Sequence, residues 1–532
     1  MTARNREIPQ VNGPPTPLRD TSSPPQGPDV VQGGATRERS VDRRTFFRVF
    51  GRQTLSMVAD VADVAASLSR GPATLAAMAG RVPGEPASGA ERSALTLGAG
   101  AELARGTAAS ASPVAPSAWI PGDVTATMLA GALNPFAHRN PFRLVGDELH
   151  VLDQRLLPDR LEEVVCRNAE DVAFHMRALT VRGGPLLAQL AACGIALTAR
   201  DVEDLRWSNR RAELRRAKRA LLLARPSVRM VHPILERLEA TWLRFGADIH
   251  GSMTADVLRQ EAEVLAMATA RDQAIIARAL ADLLTFHADA AARSRERRGL
   301  SLLIHGDPGA LSTGTVGAVM AALRVLAEEG RHVRVWLTET RPHFEGLRLA
   351  AWELRLAGIE HTIITDSAAA WLLEHEPVDA VLLGADWIAS NGDAANVVGS
   401  RTVAELASLG LRDGRRVPVY ICAPIGTIDL RTPGGRAIPR ENRSGLELST
   451  YLAGLRVPPQ HLVNPAVDVV PADRIHAFVT EEGVLRPPYP ASLATGVAAS
   501  EAKVPPLPTP PLQQDPNRAP PRADTRGADA GR

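Results

Sequence analysis

The run Gly384-Ala385-Asp386-Trp387-Ile388-Ala389-Ser390-Asn391-Gly392-Asp393-Ala394-Ala395-Asn396 decides how this chain is read. Directly before it stands the continuous apolar run Ala380-Val381-Leu382-Leu383, and a helix-like segment begins near Val398. A short unbroken apolar run is what a strand covered on both faces of a parallel sheet presents. The acidic, Gly- and Asn-rich stretch then falls at the carboxyl end of that strand. Open α/β sheets bind their ligands there.

Outward from this point the pattern repeats. Candidate strands fall at 301–305, 333–338, 361–365, 380–384 and 417–422, with helices near 315–329, 345–357, 367–375 and 398–410. Strands alternating with helices of this length predict a parallel, Rossmann-like sheet over 296–495 with helices on both faces. Upstream, helical periodicity runs from about Leu157 through Ala192 and again from Val228 to His287, predicting a helical domain over 141–295. Residues 1–140 and 496–532 are rich in Pro, Gly, Ser, Ala or charge and are expected to be mostly disordered. The downstream tail contains Pro505-Pro506-Leu507-Pro508-Thr509-Pro510-Pro511. Within the first of these, Arg43-Arg44-Thr45-Phe46-Phe47-Arg48 resembles a twin-arginine export motif. The segment that follows carries Arg52, Asp60 and Asp63 instead of an uncharged apolar stretch. An amphipathic helix near 43–69 is the expectation.

Composition narrows the function classes. With 532 residues, 45% hydrophobic and 23% charged, the chain can bury more than one core. Its 61 basic and 59 acidic side chains nearly cancel, so no nucleic-acid partner is expected. Cys166, Cys193 and Cys422 lack metal-ligand spacing, and their odd number argues against a disulfide framework. A reducing cytoplasm fits them. No apolar run reaches the ~20 residues of a membrane span, so no membrane partner is expected.

Several further blocks carry chemistry. Val181-Arg182-Gly183-Gly184-Pro185 could bring main-chain amides close to an anion, since Gly183 and Gly184 have no side chain in the way. The same residues also fit an ordinary turn after a helix. Arg225, in Ala224-Arg225-Pro226-Ser227, has the fork that matches phosphate oxygens, and equally fits an exposed arginine before a turn. Leu303-Ile304-His305-Gly306-Asp307-Pro308-Gly309-Ala310-Leu311-Ser312-Thr313 follows the first predicted strand, and Glu339-Thr340-Arg341-Pro342-His343-Phe344-Glu345-Gly346 the second. Leu152-Asp153-Gln154-Arg155-Leu156-Leu157-Pro158 opens the series, and Val463-Asn464-Pro465-Ala466-Val467-Asp468, ending near Arg486-Pro487-Pro488-Tyr489, closes it.

In this order, over roughly 142 to 493, the blocks resemble the methylthioribose-1-phosphate isomerases and their relatives. Those relatives are the ribose-1,5-bisphosphate isomerases and the regulatory subunits of translation initiation factor 2B. The resemblance implies an aldose–ketose isomerase of a sugar 1-phosphate, as in methionine salvage, forming a homodimer through its C-terminal domain. A small-molecule sugar phosphate is the implied partner, with no cofactor and no metal. Asp386 matches the family's catalytic acid, Arg182, Gly183, Gly184 and Arg225 its phosphate contacts, and Asn396 a ligand-binding asparagine. Glu345 stands where a substrate-binding glutamine is expected. Gly306 replaces the catalytic cysteine, Asp307 the asparagine after it, and Val397 a lysine that touches phosphate.

The chemistry of such a reaction gives these positions meaning. A sugar 1-phosphate has a blocked anomeric carbon, so its ring does not open unaided. An acid beside the ring oxygen assists opening, and Asp386 could serve if burial raises its pKa. A second group must help to move hydrogen between C2 and C1. With no thiol at Gly306, Asp307 and Glu345 are the nearby residues of suitable type. The alternative is a non-catalytic sugar-phosphate- or nucleotide-binding or regulatory protein on the same fold, which the loss of the thiol and the lysine favours.

Overall fold

The computed structural model describes residues 141–247, 249–293, 299–314, 317–449, 461–508 and 510. The expected helix near 43–69, the Arg43-Arg44 motif and most of the Pro-rich tail lie outside the described residues.

Five apolar runs become the strands β4 (Leu300–Ile304), β5 (Val333–Thr338), β6 (His361–Ile364), β7 (Ala380–Leu383) and β10 (Val419–Cys422). With β15 (Ala477–Thr480) and β16 (Gly483–Leu485) they form one sheet in the order β16-β15-β10-β7-β4-β5-β6. All pairings are parallel except that of the edge strand β16. The alternation of side chains explains why the runs are unbroken. Leu302, Ile304, Val335, Leu337 and Leu382 point to one face, under the helix Ala318–Glu328 and the far half of the helix Gly251–Arg293. Leu303, Trp336, Val381, Leu383 and Ile421 point to the other, under Ala369–His375, Ser400–Ala407 and Tyr489–Glu501. Both faces are dry, so no position in these strands can be polar without a partner.

The strand order has a functional consequence. From β4 the chain proceeds through β5 to β6 on one side, and from β7 through β10 to β15 on the other. The connections beyond β4 and β7 therefore diverge and leave a crevice at their carboxyl ends. Gly306 and Asp307 follow β4, and Gly384 to Asp386 follow β7.

The mainly helical region expected over 141–295 opens with an antiparallel sheet, β1 (Phe142–Val145), β2 (Glu148–Leu152) and β3 (Glu163–Cys166). Leu149 and Val151 alternate into the core there, a period of two rather than 3.6. Then come α1 (Ala169–Arg177), α2 (Gly184–Asp201), α3 (Trp207–Ala224), α4 (Val231–Phe245) and α5 (Gly251–Arg293). The long periodic stretch expected from Val228 to His287 is thus two helices. Gly246 ends the first with φ +61, a conformation glycine adopts without cost. α5 joins the two cores: Ala255, Leu258 and Ala262 belong to the helical one, and Ile276, Leu280 and Leu284 to the sheet.

The signature stretch is also more ordered than a loop. Trp387–Ala389 (β8) and Ala394–Val397 (β9) pair as a hairpin whose turn is Asn391-Gly392-Asp393, with Gly392 at φ +92. The hairpin extends on either side, β8 to β11 (Ile428–Asp429) and β9 to β14 (Val467–Val470). Downstream, the chain is helical through Glu501, past the expected boundary at 496.

One partly buried carboxyl in this frame has its pKa raised towards neutrality. Glu481, at the β15–β16 turn, accepts the Ile425 amide at 3.0 Å, and burial and nearby Asp272 push its pKa up to about 7. The folded protein therefore holds a proton that the unfolded chain releases, so stability falls as pH rises from about 4.5 towards about 7. In Glu481→Gln, the slope of urea-unfolding free energy against pH over that window should become shallower.

Candidate functional site

Four loops and one helix start meet at the crevice. They enclose a cavity of about 110 Å³ lined by Arg182, Gly183, Arg225, Gly306, Asp307, Glu345, Asp386 and Asn396. Every site residue expected from the sequence is among these except Gly184. Gly184 sits just behind: a Cβ there would lie 3.8 Å from Asp386 Oδ1.

The helical domain reaches the crevice through the start of α2. Gly183 has φ +89, and a Cβ on it would overlap the main-chain carbonyl of Ser312 in the loop after β4. Only glycine allows this approach. Gln189 holds the same contact from within α2, its Nε2 donating to Thr313 O at 2.8 Å, and Gln154 Nε2 donates to Leu311 O at 2.8 Å. The loop after β4 is fixed from the other side by buried Glu353, whose two oxygens accept the amides of Ala310 (2.9 Å) and Leu311 (3.0 Å).

His305 closes the floor. Its Nε2 lies 3.0 Å from the Val398 carbonyl, which can only accept, so this nitrogen carries the proton. Nδ1 then accepts from the Thr338 hydroxyl at 2.8 Å. Burial lowers its pKa, consistent with a neutral ring. Thr340 Oγ1 accepts the Gly306 amide at 3.1 Å, and Asp366 accepts the amides of Thr340 (2.8 Å) and Arg341 (2.7 Å). This carboxylate secures the turn in which Thr340 has φ +59.

Two acids in the cavity are strongly perturbed. Burial pushes Asp386 up to about 6; Arg225 opposes the rise and Glu441 adds to it. Its main chain is pinned on both sides, the amide to Ala395 O at 2.8 Å and the carbonyl to the Arg229 amide at 3.0 Å. Asp307 is raised well above the usual carboxylate range by burial and by Glu353 beyond it. Neither of its oxygens has a hydrogen-bond partner of good geometry among the described residues. The second acid of the signature, Asp393, is structural: it accepts the amides of Gly435 and Ala472, each at 2.9 Å, and stays ionised. Asn396 donates to Ser400 Oγ at 2.9 Å, which fixes its amide at the cavity wall.

Charge is closely balanced around these acids. Arg182 is ion-paired with Glu345. Arg225 Nε bonds Glu441 at 3.1 Å, and Glu441 also accepts from Ser227 Oγ at 2.9 Å and Arg443 Nη1 at 3.0 Å. Arg443 continues to Glu447 at 2.7 Å; burial works against ionisation there, but His343 and Arg443 hold Glu447 down at about 2. Of the cavity-lining residues, Arg443, His343, Ser312 and Asn464 had no role in the sequence reading. Arg443 and its glutamates lie in a stretch with no periodicity or motif to single them out. The three cysteines are elsewhere; burial pushes their thiols up to about 12, and none lines the cavity. Among the described residues no group of three or more His, Cys, Asp or Glu is placed to hold a metal ion.

Residues 180–487 match the family model described as "Initiation factor 2 subunit family". The chain belongs to the initiation factor 2 subunit family. Members of similar sequence include the methylthioribose-1-phosphate isomerase of Thermotoga neapolitana, 36% identical over 346 residues, covering 65% of this chain and 94% of that protein. The enzyme of the same name from Chloroflexus aurantiacus is 37% identical over 353 residues, covering 65% of this chain and 95% of that protein. Two solved family structures share the fold. The 5-methylthioribose 1-phosphate isomerase of Pyrococcus horikoshii has a TM-score of 0.58 at 28% identity, covering 68% of this chain and 96% of that one. The translation initiation factor eIF-2B delta subunit of A. fulgidus has 0.54 at 29%, covering 68% and 99%. Thus both branches of the family, isomerase and initiation factor, resemble this chain in structure, while the curated relatives named here are isomerases. Among the described residues no helix is long and apolar enough to cross a membrane.

The contact at Gly183 gives a direct test. Gly183→Ala should cost at least about 2 kcal/mol in urea unfolding, from the lost approach and the positive φ together. Gly146→Ala, also at positive φ but with nothing within 4 Å of the new Cβ, should cost less.

Proposed function

We propose that the protein is an aldose–ketose isomerase of a sugar 1-phosphate, similar to the methylthioribose-1-phosphate isomerases of methionine salvage. The observation that carries this reading is Asp386: a carboxyl with its pKa near 6, pinned at the carboxyl end of β7 and facing a cavity that also holds Arg225 and Asp307. At its resting pKa a large fraction of Asp386 is protonated at mildly acid pH, so it can protonate the ring oxygen as the C1–O bond opens. Hydrogen then moves from C2 to C1 while the C2 hydroxyl becomes the ketone. The proton of that hydroxyl passes to the Asp307 carboxylate, whose affinity for a proton burial and Glu353 raise, and returns from there to Asp386 before the next turnover. Asn396 and Glu345 would orient the sugar hydroxyls. A homodimer through the C-terminal domain goes with this reading, and light scattering of the purified chain would test it.

One observation favours a second reading. No thiol lines the cavity, and Val397 has no charge to offer a phosphate. On that reading the protein binds a sugar phosphate or nucleotide without turning it over, in a regulatory role. Incubation with methylthioribose 1-phosphate and with ribose 1,5-bisphosphate separates the two: ketose product supports the enzyme, and tight calorimetric binding without product supports the regulator.

For the enzyme, Asp386→Asn should lower kcat at least about a hundredfold, since an amide cannot donate a carboxylic proton. Full activity in that variant would sink the mechanism. Asp307→Asn should also impair turnover. The wild-type kcat/KM should fall as pH rises through about 6, where Asp386 loses its proton. Gly306→Cys combined with Glu345→Gln and Val397→Lys should raise activity towards methylthioribose 1-phosphate, or create it.

A further inference from the structure

The stretch Pro505-Pro506-Leu507-Pro508 takes no part in the cavity, yet its main chain is engaged. Proline has no amide hydrogen, so a proline-rich stretch adds to neither a helix nor a sheet ladder, and its carbonyls must be met by donors elsewhere. Two arginines of α4 meet them. Arg237 Nη1 donates to Pro505 O at 2.9 Å and Nη2 to Pro506 O at 3.4 Å, and Arg244 Nη1 donates to Leu507 O at 3.3 Å. Three consecutive carbonyls are thus taken by side chains seven residues apart, which stand two turns from each other on one face of the helix. Pro505 and Pro506 are exposed, whereas Leu507, Pro508 and Pro510 are half-buried. Arg237 is held ready for this contact: its Nε and Nη2 bond the two oxygens of buried Glu261 on α5, which fixes the plane of the fork.

The segment reaches α4 from the other domain. It leaves the helix Tyr489–Glu501, whose Leu493 packs in the core under the sheet, and Lys503 Nζ bonds Glu482 in the β15–β16 turn at 2.6 Å. Within four residues it is bonded to α4, whose Ile234, Leu235 and Leu238 belong to the helical core. The start of the same helix lies beside Arg229, whose amide takes the Asp386 carbonyl, so α4 is tied to the sheet domain at both ends. We infer that the Arg237–Arg244 face of α4 is a binding surface for an extended proline-rich segment, and that its occupant is this chain's own Pro505–Leu507, which straps the helical domain to the sheet. The surface offers guanidinium donors along one helix face. Proline carbonyls accept from them, and a chain already stiffened by proline loses little conformational freedom on docking. A flexible segment of the same length presents the same carbonyls at a greater entropic cost.

Trypsin cleavage after Lys503 in the full-length protein, followed by mass spectrometry, reads how often the strap opens. Arg237→Lys keeps a charged partner for Glu261 but lacks the fork, and Arg244→Gln removes the second donor. The double variant should be cut at least about fivefold faster than wild type, with an unchanged melting profile. Pro505→Gly with Pro506→Gly leaves every carbonyl in place and should still speed the cut at least about threefold, once corrected with free peptides of the same sequences. A wild-type cleavage rate in the folded arginine variant would overturn the surface, and a wild-type rate in the glycine variant would overturn its preference for proline. Should the arginine pair not fold, Arg244→Gln alone, at an exposed position, decides with the same sign. Light scattering separates this occupant from the tail of a second copy. Variant and wild type should have the same mass, and dissociation of the arginine variant into smaller species would overturn the assignment to the chain's own tail.

Discussion

Carboxylates that accept main-chain amides hold the cavity together. Glu353 takes Ala310 and Leu311 after β4, Asp366 takes Thr340 and Arg341 after β5, and Asp468 takes Gly399 (2.8 Å) and Arg401 (3.1 Å) after β9. Loops at the carboxyl ends of strands have lost their ladder partners, and their amides must be satisfied some other way. A buried carboxylate does this for two amides at once and fixes the loop to another element. Charge-assisted bonds of this kind are stronger than neutral ones. Without them the crevice between β4 and β7 would still form, but its walls would be free to move. A cavity whose chemistry depends on where a carboxyl stands needs rigid walls.

The same economy explains the Arg–Glu chain. Arg225, Glu441, Arg443 and Glu447 form an alternating line of charges that begins at Arg225, which is bonded through Nε. Burying so many charges contributes little net stability, because desolvation offsets most of the attraction. Its effect is on placement. Glu441, itself bonded by Ser227, holds Arg225 through Nε where it lines the cavity. Removing Glu441 would leave the arginine in place by sequence but not by direction.

What the sequence disclosed follows from the range of the interactions. The strands β4, β5, β6, β7 and β10 were legible within a residue or two, because a doubly buried strand has to be apolar at each position. The crevice was legible because strand order in an alternating chain constrains where loops meet. The residues expected at the site do converge there, apart from Gly184, which lies one step behind. The β1–β3 sheet was missed because its strands are only four or five residues long and partly exposed, too short for their alternation to stand out. The β8–β9 hairpin was missed although its turn, Asn391-Gly392-Asp393, is the chemistry such a turn requires. The pairings that set the charge of the site were not legible at all. Arg225 and Glu441 are 216 residues apart, and nothing local to either names the other.

Gly306 joins these threads. It takes φ +96, with its amide held by Thr340 Oγ1, so the loop after β4 has a conformation that strains any side chain. The resemblance places a cysteine there in the isomerases, and a residue kept in such a conformation is one the surrounding structure over-determines. In this chain Glu353, Asp366 and Thr340 clamp the loop, and Gly306 takes its conformation with no side chain to strain and no nucleophile to offer. The adjoining change from asparagine to Asp307 leaves an unbonded carboxyl beside the vacated place, and Val397 faces it with a methyl group. Gly306, Asp307 and Val397 thus lie next to one another in the wall of one cavity.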